Sequence, residues 1–204
     1  MAKWIYTKSV PKELYVACSG GVDSVAAAAI LSEWRNVTLV HFDHNDLASE
    51  HELEIVHNLS KQLSVPLLTE KSTDPAATNK EATWRNARYQ WFHSLPGPVA
   101  TAHTTDDLLE WYLITCLRGE GHVMPISNRN VFRPFLKTDK LSLIEYAVAN
   151  YLQWWDDPGN CDIEFSLRSK VRNVLVPSAL QCEPGLKNML KRRLDEKLRL
   201  GIDN

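Results

Sequence analysis

The sequence predicts an α/β fold: a doubly wound parallel sheet followed by a small C-terminal helical extension. Three observations carry that expectation. Between Tyr15 and Gly119, four short β-branched or apolar runs each lead into a helical stretch. The first of these junctions is glycine-rich, Ser19-Gly20-Gly21-Val22-Asp23-Ser24. After Gly121 the alternation stops and amphipathic helical patterns take over. Regular strand-helix alternation requires right-handed crossovers, which place helices on both faces of a parallel sheet.

In chain order, YVAC precedes the helical SVAAAAILSEW, and VTLVHFD precedes ASEHELEIVHNLSKQL. PLLTEK then precedes NKEATWRNARYQWFHSL, and PVATAH precedes TTDDLLEWYLITCLRG, capped by Thr104 or Thr105. VMPISNRNVFRPF, with Pro125 and Pro134, reads as a short hairpin or an irregular connection. TDKLSLIEYAVANYL is an amphipathic helix started by Thr138 or Asp139, and FSLRSKVRNVLVPSAL and GLKNMLKRRLDEKLRL are two further helices. The expected organisation is an α/β domain over residues 1–136 and a helical extension over 137–204. No repeat or long linker divides the chain.

Composition narrows the function. The 204 residues are 44% hydrophobic and 24% charged, enough for a sizeable core. A net charge of -2 excludes a globally basic nucleic-acid binder, so any polyanion contact must come from a local patch. Cys18, Cys116, Cys161 and Cys182 lie far apart, without zinc-ribbon or iron–sulfur spacing, and are expected to be free thiols. No window approaches the roughly 20 apolar residues of a membrane span. The expectation is a soluble, cytoplasmic protein.

In an open α/β sheet the first strand-to-helix turn is a common phosphate seat. Gly20 and Gly21 are expected to allow positive φ and close approach of an anion, while free N–H groups at the helix start point toward it. The glycine spacing fits neither a dinucleotide fingerprint nor a Walker A loop. Asp23 is repulsive toward phosphate unless a cation intervenes, so its expected task is to hold Mg²⁺ on a nucleoside triphosphate.

The string SGGVDS resembles the PP-loop of ATP pyrophosphatases, whose fold is adenine nucleotide alpha hydrolase-like. That family splits ATP between its α and β phosphates and adenylates a substrate. Further segments resemble tRNA(Ile)-lysidine synthases in particular. They are His41-Phe42-Asp43-His44-Asn45, the helix Glu81-Ala82-Thr83-Trp84-Arg85-Asn86-Ala87-Arg88-Tyr89, and Ala102-His103-Thr104-Thr105-Asp106-Asp107-Leu108-Leu109-Glu110 with Leu117-Arg118-Gly119. Arg133-Pro134-Phe135-Leu136, Trp154 to Asn160, and Arg168-Ser169-Lys170-Val171-Arg172 follow in the same order. The resemblance covers roughly residues 14 to 180. The sequence departs from it at Asn45-Asp46, where the family has glycine; Asn tolerates left-handed geometry. It also ends soon after the α/β core, whereas familiar members carry C-terminal domains that help hold tRNA. A short form is therefore expected, and a homodimer is one way to supply missing tRNA surface.

The resemblance implies ATP contacts from Ser19, Gly20, Gly21, Val22, Asp23, Ser24, Asp43 and His103, with Mg²⁺ at Asp23. It implies catalytic roles for Asp23, Asp107, Glu110, Arg168 and Arg172. Asp107 and Glu110, three apart on one helix face, would hold the ammonium of free lysine. First-turn carboxylates also suit the helix dipole alone. Arg85 and Arg88, interleaved with Trp84, Tyr89 and Trp91, suit either tRNA phosphate and base contacts or the exposed side of an amphipathic helix. The basic run containing Lys191, Arg192 and Arg193 is either a solvated face or a tRNA backbone contact. Trp154 and Trp155 are expected in the core.

The implied reaction is adenylation of an anticodon cytidine at the C2 oxygen, followed by attack of lysine at C2. Three rivals remain. A tRNA thiolase would want cysteines at the site, which these scattered thiols do not offer. A GMP- or NAD-synthetase-like enzyme would leave Glu81–Tyr89 and Arg168–Arg172 unexplained. A non-catalytic RNA-binding relict would not need Ser19, Asp23, Asp107 and Glu110 together.

Overall fold

A computed structural model describes residues 10–45, 49–72, 80–156 and 166–200. Six strands form one sheet in the order β3-β2-β1-β4-β6-β5. They are β1 (Glu13–Ala17), β2 (Asn36–Asp43), β3 (Leu67–Lys71), β4 (Val99–Ala100), β5 (Ser127–Asn128) and β6 (Val131–Phe132). Neighbours among the first five in that order are parallel, and β5 runs antiparallel to β6 as the outer arm of a hairpin. At the centre Val16 pairs with Leu39 on one side and Ala100 on the other.

The strand period of two sorts side chains to opposite faces. Leu14, Val16, Val37 and Leu39 face α1 (Val22–Ser32), α2 (Ser49–Leu63) and α5 (Lys140–Ala149). Tyr15, Ala17, Val40, Val99 and Val131 face Tyr89, Trp91 and Phe92 of α3 (Lys80–Ser94). The sheet is thus doubly wound, as the alternation predicts. Helix α1 is buried nearly all round, from Val22 and Ser24 to Leu31, because α5 packs on its outer side. Its alanine run lets the two helices approach, and a helix apolar on every side needs such a cover.

A second core joins Leu108 and Leu109 of α4 (Thr105–Leu117) to Leu190 and Leu194 of α8 (Leu186–Leu200), with Val123, Met124 and Leu136 between. Leu143 and Ala147 of α5 belong to the main core. Between α5 and α8 lies one helical segment made of α6 (Leu167–Lys170), a π-helical stretch Val171–Leu175, and α7 (Val176–Cys182).

Two elements differ from the sequence expectation. The strand expected over PVATAH pairs only at Val99 and Ala100; the chain turns away after Thr101, whose N–H still donates to the Phe132 carbonyl (2.9 Å). The helix expected over 165–180 is interrupted by the π-helical stretch, closed by the Val176 N–H on the Val171 carbonyl. Pro177 has no N–H to donate and its ring crowds the preceding turn, so the wider turn absorbs it. The initiating residues are Thr104 for α4 and Asp139 for α5. No described helix is long and apolar enough to cross a membrane.

Candidate active site

Strand order reverses between β1 and β4, so the turns leaving these neighbours flank the crevice where open α/β sheets bind ligands. The first turn is Ser19–Gly21. Gly20 adopts φ +87°, and a Cβ there would lie 3.2 Å from the Glu52 backbone. A side chain is excluded twice, by conformation and by space. Gly21 corrects the expectation of two left-handed glycines. Its φ is -74° and it serves as the N-cap of α1, with only ordinary contacts for an added Cβ.

Ser24 ties the loop to itself. Its Oγ accepts from the Ser19 N–H (3.1 Å) and donates to the Gly21 carbonyl (2.9 Å), while Ser19 Oγ lies 3.3 Å away. From outside, the Trp155 backbone N–H donates to the Gly20 carbonyl (2.9 Å), and the Trp155 ring stacks on His51 at 4.7 Å. Trp155 therefore braces the loop, a role its core-like composition did not reveal. Trp154 does pack against the main core.

Asp23, in the first turn of α1, accepts from the Lys140 ammonium at Oδ2 (3.1 Å), and its buried Oδ1 has no hydrogen-bond partner among the described residues. Burial pushes its carboxyl up, Lys140 partly offsets this, and Asp107 and Asp106 add repulsion. Among the described residues, no group of three or more His, Cys, Asp or Glu is placed to hold a metal ion. One orphaned carboxylate oxygen fits Mg²⁺, which is commonly bound by one or two carboxylates plus substrate phosphates.

The second turn leads into α4, whose first turns carry three acids, two of them joined by a shared arginine. Asp106 accepts from the Lys140 N–H (3.0 Å) and the Lys187 ammonium (2.7 Å). Asp107 Oδ2 accepts from the Thr104 N–H (2.9 Å) and Thr104 Oγ1 (3.1 Å), reaching back to the helix cap. Asp107 Oδ1 accepts from Arg168 (2.7 Å). Glu110, almost fully buried, accepts from Arg168 at 3.0 Å and from Arg172 at 2.6 and 3.1 Å. The pair Asp107 and Glu110 does share one face, as its spacing predicts, and two arginines from the C-terminal segment neutralise it.

Burial pushes the Asp107 carboxyl up, but the Arg168 guanidinium and the Thr104 hydrogen bonds outweigh it and hold it low. His103 is driven down to about 3 by burial, which outweighs the attraction of Asp107, with Arg133, Arg168 and Arg85 adding repulsion, and it lies 2.8 Å from Thr101 Oγ1. The imidazole is therefore neutral at physiological pH. Asp43, at the end of β2, accepts from the Asn45 N–H (2.6 Å); with Ser49 and Lys71 this outweighs burial and holds its carboxyl low. Asn45 takes φ +59°, the left-handed geometry expected of it. Neighbouring His41 is fully buried, its Nδ1 2.9 Å from the Cys18 carbonyl.

On α3, the Arg85 guanidinium stacks over the Tyr89 ring at 4.9 Å, and Arg88 is half-buried within the fields of Arg85, Arg168 and Glu52. Burial pushes the Arg88 group down. Arg133 links this region by donating to the Pro125 carbonyl (2.9 Å) and Tyr89 OH (3.4 Å). The side chain of Glu81, and Asp46 and Asn160, lie outside the described residues.

The basic run of α8 splits. Lys187 and Lys191 turn inward to Asp106 and Asp139 (2.7 and 2.9 Å). Arg193 covers Tyr112 at 5.5 Å and Arg192 is exposed. The linear pattern named the charges but not the inward pairs, whose acids lie far away in sequence.

A family profile described as a PP-loop domain matches residues 2–179, and the chain belongs to that family. Its curated relatives include proteins named tRNA(Ile)-lysidine synthase. That of Corynebacterium glutamicum is 30% identical over 91% of this chain and 62% of the relative. Those of Haemophilus ducreyi and Thermus thermophilus are 29% and 33% identical, over 91% and 89% of this chain and 47% and 39% of the relatives. The chain thus spans between about two fifths and three fifths of their length. The NMN synthetase of Francisella tularensis shares the fold, with a TM-score of 0.50 and 14% identity over 69% of this chain and 62% of that one.

Proposed function

We propose that the chain is an ATP-dependent tRNA-modifying ligase that converts an anticodon cytidine to lysidine. The observation carrying the reading is that the Asp107–Glu110–Arg168–Arg172 cluster lies close enough to the SGGVDS loop at the β1/β4 crevice for Asp107 and Arg172 to interact electrostatically with Asp23. The similarity to tRNA(Ile)-lysidine synthases supports the choice of substrate.

In this reading the N–H groups at the start of α1 and the hydroxyl of Ser19 receive the triphosphate. Mg²⁺ held by Asp23 would neutralise charge on the phosphates. Asp43 and His103 serve the nucleotide from the strand ends. Attack of the cytidine O2 on the α-phosphate releases pyrophosphate and leaves an adenylated base. Lysine nitrogen then attacks C2, AMP departs with the oxygen, and the attacking amine loses a proton. Arg168 and Arg172 provide positive charge beside the phosphate, and their positioning supplies much of the rate gain.

Lysine can join the acidic pair without displacing it. Among the described residues, Asp107 Oδ1 and Glu110 Oε1 each accept one donor, and a carboxylate oxygen has a second lone pair. The target cytidine must be unstacked to reach the crevice, which a loop nucleotide permits. Arg85, Arg88 and the exposed Arg192 and Arg193 provide the tRNA contacts. The test is pyrophosphate release from ATP, measured with tRNA and lysine each present or withheld. RNA-dependent release supports the reading, and release indifferent to RNA overturns it.

A further inference from the structure

The loop Ser19–Ser24 contains no lysine or arginine, although a triphosphate needs cations around it. The structure supplies one from a distant segment. Lys140, the first residue of α5, places its ammonium 3.1 Å from Asp23 Oδ2. Its side chain remains 45% exposed, against 25% for Asp23, so the ammonium sits at the mouth of the crevice rather than sealed beneath it.

A strut between α1 and α5 would be the simpler role, but the start of α5 is held without this side chain. The Lys140 backbone N–H donates to Asp106 (3.0 Å), and the Thr105 N–H and hydroxyl both donate to the Thr138 carbonyl (2.9 and 3.1 Å). Asp139 pairs with Lys191, and Leu143 and Ala147 are buried against the α1 core. The backbone is anchored while the ammonium, on a flexible four-carbon stem, stays free to change partner.

We propose that Lys140 is a phosphate-binding residue of the nucleotide site, whose ammonium passes from Asp23 to the triphosphate when the nucleotide and its cation arrive. It rests on the ATP reading above. Asp23 then exchanges one positive partner for another, and its carboxylate is neutralised in both states. Sequence spacing offers no hint of this residue, because its partner is 117 positions away.

The test is calorimetric titration of Mg·ATP and of adenosine into the wild-type chain and Lys140→Met, Lys140→Gln and Lys140→Arg. The first two variants should bind Mg·ATP about ten- to a hundredfold more weakly, the scale of a lost charge-assisted hydrogen bond. They should bind adenosine as the wild type does, and Lys140→Arg should recover most of the Mg·ATP affinity. Glutamine keeps a donor for Asp23, so a strut role predicts wild-type Mg·ATP affinity for Lys140→Gln. That result, or equal loss of adenosine and Mg·ATP, overturns the proposal and leaves the ATP reading intact. Absence of Mg·ATP binding by the wild type overturns both.

Discussion

Replacing Glu110 by glutamine perturbs the best-buried charge of the crevice. Its side chain is 6% exposed and accepts three hydrogen bonds from Arg168 and Arg172. Glutamine keeps one acceptor oxygen and turns an N–H₂ toward a guanidinium, leaving two arginines to share Asp107. Breaking a fully buried ion pair costs about 3–5 kcal/mol. Arg168 and Arg172 are about a third exposed, and water screens what they lose, so about 2–3 kcal/mol is the reasoned cost. For a chain of this size that lowers Tm by roughly 4–12 °C. Thermal unfolding followed by circular dichroism reads it directly. Adding Arg172→Gln should recover part of the loss, because the uncompensated charge goes with it. The half-reactions should separate too, with the lysine requirement rising steeply and RNA-dependent pyrophosphate release less affected. A Tm within about 2 °C of wild type, or equal loss of both half-reactions, would refute the reasoning.

Asp23→Asn should keep the fold and lose RNA-dependent pyrophosphate release, since a neutral amide cannot hold the cation; near-normal release by the folded variant would sink the metal assignment. His103 supplies a pH test. An unfolded imidazole takes up its proton near pH 6.5 and the folded one near 3. Between those values the unfolded state binds more protons, so this contribution is complete above pH 6.5 and is lost as pH falls toward 3. Subtracting the stability–pH curve of His103→Gln from that of wild type should isolate a slope in this window, and parallel curves would contradict it. On α8, Arg192→Glu with Arg193→Glu should weaken tRNA binding and reduce the log–log salt slope by about one unit for each phosphate the arginines no longer neutralise. Lys191→Glu should lower Tm as well, by opposing Asp139. Unchanged tRNA affinity and salt slope in the double variant would make the outer face a solvated surface.

The fold was legible because its signals are local. Strand-helix alternation, the SGGVDS turn and the amphipathic α5 and α8 patterns each report on neighbouring residues, and the doubly wound sheet follows from them. Thr104, Asp107 and Glu110 were legible for the same reason, as one turn and one helix face. What escaped depends on the folded chain. The alternation could not show that strand pairing stops at Ala100, where the chain turns toward the α4 cap. Gly21 carries the same letter as Gly20, yet only Gly20 is left-handed and pressed against Glu52. Lys140, Lys187 and Lys191 acquire their carboxylates through the packing of α5 on α1 and of α8 on the starts of α4 and α5. Trp155 reads as core until its backbone N–H is seen on the Gly20 carbonyl and its ring on His51. These are long-range pairings, and no spacing rule encodes them.

The central claim is that this crevice joins lysine to an anticodon cytidine at the expense of ATP. Its most direct test is mass analysis of nucleosides from tRNA incubated with the protein, ATP, Mg²⁺ and lysine. The account predicts a cytidine heavier by one lysine residue, formed only when ATP and lysine are both present. Unmodified cytidine alongside ATP turnover, or a sulfur-bearing nucleoside formed with a sulfur donor instead, would contradict it.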